Sequence, residues 1–144
     1  LINARVIAED ADLKVSEQIR PAVEHFKNMV EVVASNKGNR ISAAGVVFGN
    51  EQARIIRVND FSFEIQPVGH ILFYANDDRP GMLAAVGAVL ADAGINIGTL
   101  SLGRQEKGKT AMTAVSLDEP LSSQILSQIS ALEGVHGIRA VRFE

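Results

Sequence analysis

The chain after Pro67-Val68-Gly69 carries the tightest constraint on the fold, because strand and helix patterns follow one another there with glycine or proline at nearly every joint. Ile71 to Ala75 is an apolar run of strand length. Asp78-Arg79-Pro80-Gly81 then reads as a helix start, with a carboxylate N-cap and proline in the first turn. The helix is expected from about Gly81 to Ala93, with Leu83, Val86, Gly87 and Leu90 on one face and Gly94 ending it in a left-handed conformation. Ile95 to Gly103 and Thr110 to Leu117 read as a hairpin around the charged loop Gln105-Glu106-Lys107-Gly108-Lys109. Pro120 opens a second helix through Leu121, Ile125, Ile129 and Leu132, Gly134 closes it, and Ile138 to Phe143 is a last strand. The order β-α-β-β-α-β folds naturally as a four-stranded antiparallel sheet with both helices on one face, the ferredoxin-like arrangement. Its other face, with Met112, Ala114 and Ser116, is left to solvent or to a second copy.

The first part is strand-rich. Apolar positions Ile2, Val6 and Ile7 recur at helical spacing, so a short helix is expected between Ile2 and Asp12, followed by an extended Leu13 to Ser16. Glu17 to His25 fits either pattern. Met29 to Val33 and Ile41 to Phe48 flank Asn36-Lys37-Gly38-Asn39, a hairpin signature, and strands at Ile55 to Val58 and Phe61 to Ile65 meet at Asn59-Asp60. The fold class is therefore α+β: a strand-rich domain over residues 1–68 and a ferredoxin-like βαββαβ domain over residues 69–144.

Composition excludes several functions. There is no cysteine, hence no disulfide, thiolate metal site or cysteine nucleophile, which fits a reducing compartment. A net charge of −3 with scattered Lys and Arg, six Phe, one Tyr and no Trp offers neither a phosphate-binding stripe nor a stacking platform for nucleic acid. No apolar run approaches the roughly 20 residues a bilayer requires, so no membrane partner is expected. The opening Leu1-Ile2-Asn3-Ala4-Arg5, with no initiator Met or signal-peptide pattern, reads as a fragment of a longer cytoplasmic protein. His25, His70 and His136 lack a metal-ligand spacing and are assigned no chemistry, and no dinucleotide, P-loop or nucleophile-elbow motif is present.

The segment Asn76-Asp77-Asp78-Arg79-Pro80-Gly81-Met82-Leu83 concentrates what chemistry there is. It sets acceptor side chains beside free backbone N–H groups at a helix N-terminus, and Gly81 lets a ligand approach the main chain. An α-amino acid needs that mixture: oxygens for its ammonium, N–H donors for its carboxylate. Asn96 is the natural further partner, within one chain or from a neighbour related by a two-fold axis. From the residues alone Asp78 is better explained as a helix N-cap, Gly81 and Gly94 as helix-terminating and packing residues, and Arg79 as a solvated charge. Arg40, Arg54 and Arg57 flank first-half strands and are either exposed strand charges or an anion site.

With the strand, Asp78-Arg79-Pro80-Gly81-Met82, the apolar helix and Gly94-Ile95-Asn96-Ile97 in register, the second half resembles an ACT domain. Leu1 to Glu9, Ala44-Gly45-Val46-Val47-Phe48-Gly49 and Arg54-Ile55-Ile56-Arg57-Val58 resemble the later part of the allosteric-substrate-binding domain that precedes ACT in long-type D-3-phosphoglycerate dehydrogenases. The resemblance implies a regulatory region of an NAD-dependent enzyme of L-serine synthesis, with no cofactor in this segment and no catalytic residue. It implies feedback inhibition by L-serine at ACT–ACT interfaces of a homo-oligomer. The ligand shell would be Asn76, Asp78, Gly81, Met82, Leu83, Asn96 and Ile97, and an anion position would fall on Arg54 and Gln66. The regulatory region of an iron–sulfur L-serine dehydratase and a ligand-free ACT-like dimerisation element are the competing expectations. A ferredoxin-like acylphosphatase is disfavoured, since Asp77-Asp78 would repel phosphate.

Overall fold

The computed structural model describes residues 4–19, 28–49 and 51–144. Helix α1 (Ala4–Asp10) is followed by irregular chain to Ile19. Most of the ambiguous segment, His25 included, and Ile2 of the expected helix lie outside the described residues. Strands β1 (Met29–Asn36), β2 (Asn39–Phe48), β3 (Gln52–Val58) and β4 (Phe61–Ile65) form an antiparallel sheet in sequence order. The β1–β2 hairpin closes on Lys37-Gly38, both with positive φ (27° and 103°), the two-residue geometry that matches strand twist. At the β3–β4 turn Asn59 takes φ 50°, and its Oδ1 accepts the Ser42 N–H at 2.9 Å, so this turn also ties back to β2.

A second antiparallel sheet follows, from β5 (Gly69–Asp77), β6 (Ile97–Arg104), β7 (Thr110–Leu117) and β8 (Val135–Phe143), in the order β6-β7-β5-β8. Helices α2 (Met82–Asp92) and α3 (Ser123–Ser130) cover one face of it. This is the ferredoxin-like βαββαβ fold expected from the element order. The core beneath the helices contains Leu72, Tyr74, Val86, Leu90, Val115 and Ile129, all essentially buried.

Several expectations require correction. The buried face of α2 is Met82, Val86 and Leu90, while Leu83 is 41% exposed. The helix sequence MLAAVGAVLAD is apolar around nearly its whole circumference, so periodicity left its rotational phase open. The N-cap of α2 is Gly81 (φ 92°), with no side-chain capping bond, so Asp78 does not cap the helix. Pro120 and Leu121 precede α3, whose N-cap is Ser122, its Oγ accepting the Ile125 N–H at 3.3 Å. Strand β8 begins at Val135, not Ile138. Its pairing with β5 shifts by one residue between Phe73↔Arg139 and Ala75↔His136, and Gly137 takes φ 57° within that step, a bulge that interrupts the alternation without ending the strand.

Much of the second face of the β5–β8 sheet, around Met112 and Ala114, is covered by β4 of the same chain and is therefore neither solvated nor free for another copy. Ile71, Phe73, Met112 and Ala114 pack against Phe63 and Ile65 of β4, with the Phe63 and Phe73 rings 6.2 Å apart at 44°. The Glu64 N–H donates to Ser101 Oγ at 3.1 Å, and Gln105 Nε2 donates to the Asp60 carbonyl at 3.0 Å. Gly103 lies so close that a Cβ there would overlap the Ser62 carbonyl oxygen. The two sheets therefore share a core.

Candidate functional site

The β5–α2 turn lies at the sheet end where Asp77 pairs with Thr110. Asp78 N–H donates to the Lys109 carbonyl at 2.9 Å, Asp77 N–H to the Gly134 carbonyl at 2.9 Å, and the turn is thereby clamped between the β6–β7 and α3–β8 loops. Asp78 Oδ2 accepts the Gly108 N–H at 2.8 Å and pairs with Arg104 Nη1 at 3.1 Å. The Gly108 bond above all holds the Asp78 carboxyl below its ordinary 3.8; partial desolvation opposes this, and Arg104, by bond and charge, and Lys107, by charge, add to it. Asp78 is thus an ionised group of this surface at neutral pH, attached to the loop and not to the helix.

Beside it the first turn of α2 keeps its backbone donors uncommitted. Its first intrahelical bond is Ala85 N–H to the Gly81 carbonyl, and no side chain caps the preceding donors around Met82 and Leu83. Space over Gly81 is open, with no atom within 4 Å of where a Cβ would stand. Anionic oxygen and free N–H donors are therefore adjacent, the complement of a zwitterion.

Asn76, the penultimate residue of β5, lies on the helix-covered side and is buried. Its Oδ1 accepts the Thr113 hydroxyl at 3.1 Å and its Nδ2 donates to the Asp77 carbonyl at 2.7 Å. Tyr74 belongs to the same buried group: burial pushes its phenol up, and a hydrogen bond with Thr113 offsets part of that. Thr113 is a residue that sequence reasoning passed over, although a threonine among inward-facing positions of β7 is itself a signal for a polar partner.

Asn96 is far from this turn within one chain. Ile97 pairs with Leu117, and Leu117 lies seven residues along β7 from Thr110, about 23 Å at the usual strand rise. Asn96 Nδ2 donates there to Asp118 Oδ2 at 2.8 Å. The possibility that Asn96 completes the Asp78 site of its own chain is excluded by this separation: the two residues sit at opposite ends of α2.

The remaining candidates are engaged elsewhere. Arg54 and Gln66 stand across the end of the β3–β4 pair, next to Ile55↔Ile65, but Arg54 Nε pairs with Glu64 at 3.3 Å and Arg57 with Glu31 at 3.3 Å. Arg79, expected to be simply solvated, donates to the Glu133 carbonyl at 3.0 Å, and His136 Nε2 lies 3.3 Å from Asp77 Oδ1, so both brace the site turn against the start of β8. Among the described residues there is no cluster of three His, Asp or Glu placed to hold a metal, and no helix long and apolar enough to cross a membrane.

Residues 70–134 match the ACT domain, and residues 1–59 match the D-3-phosphoglycerate dehydrogenase intervening domain. Over 97% of this chain it is 25% identical to the D-3-phosphoglycerate dehydrogenase of Bacillus subtilis (strain 168), and over 98% it is 28% identical to that of Synechocystis sp.. The chain spans about a quarter of each, 27% and 26% of their lengths. It is also 23% identical, over 90% of the chain and 59% of the relative, to the probable L-serine dehydratase beta chain of Bacillus subtilis. Sequence matching the D-3-phosphoglycerate dehydrogenase intervening domain thus precedes sequence matching the ACT domain, the pairing expected of the C-terminal regulatory region of that enzyme family.

Proposed function

We propose that this chain is the regulatory region of an NAD-dependent, cytoplasmic D-3-phosphoglycerate dehydrogenase and that its ACT domain binds L-serine between two copies to effect feedback inhibition. The observation that carries the reading is the ionised Asp78 next to the uncapped N-terminus of α2. Asp78 takes the ammonium, and the N–H groups around Gly81, Met82 and Leu83 take the carboxylate. The buried Asn76 amide, held by Thr113, shapes the floor. Asn96 and Ile97 come from the partner: two α2 helices antiparallel about a two-fold axis set the C-terminal end of one beside the N-terminal end of the other, about 16 Å along. Leu83 on α2 and Leu100 and Leu102 on the edge strand β6 are each about 40% exposed, an apolar stripe suited to that association. An interface of this kind biases one assembly geometry when ligand is present, and a coupling of about 1–3 kcal/mol suffices for regulation. NAD belongs to the catalytic part of the parent enzyme in this reading. Arg54 with Gln66 is the accompanying anion position, where an anion competes with Glu64 for the guanidinium.

The L-serine dehydratase relative supports a second reading, the same module regulating a dehydratase, and only the identity of the parent separates the two. A dimerisation element without ligand is the third.

Calorimetric titration of L-serine into the chain, with glycine, D-serine and Asp78→Ala as controls and light scattering for the oligomer, tests the site. Saturable, stereoselective heat that Asp78→Ala abolishes is the expected result; heat unchanged in the variant sinks the assignment. The pH profile is a further arm. Because the folded pKa of Asp78 is depressed, its charge contribution is complete above the unfolded value of 3.8 and is lost as pH falls through the lower folded value. Affinity should therefore stay flat from neutrality down to the ordinary carboxylate range.

A further inference from the structure

We infer that a cleft at the opposite end of the ACT domain from the Asp78 turn binds a small organic anion through His70 and Arg142. The cleft has a volume of about 450 Å³ and is walled by Leu117, Pro120, Leu121 and Ala140, with His70 and Arg142 among its lining residues. That volume lies within the range typical of small-molecule sites.

The argument rests on the pairing of β5 with β8. His70 and Arg142 are direct cross-strand partners, so their side chains leave the same face of adjacent strands, about 5 Å apart at Cβ. An exposed guanidinium next to an imidazole on one sheet face offers two donors aimed at the same space, a pair that a bound anion would complete. Among the described residues none is supplied: neither side chain takes part in a hydrogen bond or ion pair, whereas Arg54, Arg57, Arg79 and Arg104 all do. Asp118, one residue past Leu117, is already bonded to Asn96, and Glu119 and Glu144 make no ion pair with either group.

The lining also defines the ligand. Arg142 presents a fork that suits a carboxylate or a phosphate, and His70 adds a ring N–H donor. The walls of Leu117, Pro120, Leu121 and Ala140 take a short apolar body. No carboxylate side chain lines the cleft, so it offers no charged partner for an ammonium, which favours an anion lacking one over a free amino acid. This separates the cleft from the Asp78 turn, whose chemistry is zwitterionic.

The test is a ¹H–¹⁵N correlation titration of the full 144-residue chain with butyrate and with phenyl phosphate as probes, and n-butylamine as the cationic control. Saturable shifts are expected at His70, Leu117, Leu121 and Val141 with either anion and with neither at Asn76 nor Asp78; the tighter probe identifies the head group. Arg142→Gln, on an exposed side chain, should weaken binding about tenfold or more with the spectrum otherwise retained. His70→Gln, which keeps an N–H donor, should weaken it less. Equal response to butylamine, unchanged affinity in Arg142→Gln, or no saturation with either anion overturns the assignment. Because serine is not a probe here, failure at this cleft leaves the Asp78 reading to its own titration.

Discussion

Thr113 shows how one side chain prepares a surface it never reaches. Its hydroxyl is fully buried, bonded to Asn76 Oδ1 and opposite Tyr74 in the β5–β7 ladder. With Oδ1 thus occupied and Nδ2 on the Asp77 carbonyl, the Asn76 amide is held in one orientation directly behind the Asp78 turn. Thr113→Val keeps the shape and removes the donor, which leaves a buried acceptor unpaired. The expected cost is about 1–3 kcal/mol in chemical denaturation, and it should shrink when Asn76 is already alanine, since the two residues share one bond. Equal costs in both backgrounds would mean that the hydroxyl acts on something other than Asn76. Asp78 is the counter-example: a cap by sequence, it proves to be a loop anchor because Gly108 and Arg104 arrive from a hairpin that is 26 or more residues further along.

At the scale of elements, the two helices of the ACT domain begin differently, and the difference has a functional sense. Helix α3 is capped by Ser122. Helix α2 begins at Gly81 with no side-chain cap, although Asp77 and Asp78 are close in sequence and chemically able to provide one. Both carboxylates are committed elsewhere, Asp78 to Gly108 and Arg104, Asp77 to His136 and Arg79. The donors of α2 are thereby left without a side-chain cap, as the proposed serine site requires, while those of α3 serve stability. Ser122→Ala should cost about 1 kcal/mol in thermal or chemical unfolding and leave serine affinity unchanged. A change in affinity would show that α3 participates in the site.

At the scale of the whole molecule, the docking of β4 on the ACT sheet makes the two halves one mechanical unit. Ser62, Phe63 and Ile65 lie against Gly103, Phe73 and Ile71, so a displacement of β6 or β7, such as the proposed interface would impose, bears on the preceding sheet. Gly103 is the closest approach. Gly103→Ala forces the Ser62 backbone away and should destabilise the chain by about 1–3 kcal/mol or more, with hydrogen exchange accelerating in β4 and β6 before it does beneath α2 and α3. Uniform acceleration would show that the chain opens only as one cooperative unit, with no local weakening where β4 meets β6.

The sequence by itself determined the order of elements and the chemistry of the β5–α2 turn, because both are local: glycine and proline punctuate the chain, alternation marks strands, and Asp78-Arg79-Pro80-Gly81 brings its groups together within one turn. The rotational phase of α2 was not local, since an all-apolar helix has no preferred inner face until a sheet selects one. Nor was the partner of Asp78, the pairing of His70 with Arg142, the distance between Asp78 and Asn96, or the burial of Met112 and Ala114 under Phe63 and Ile65. Each depends on which strands become neighbours, and that is decided only when the two sheets close on a common apolar layer and exclude water from it.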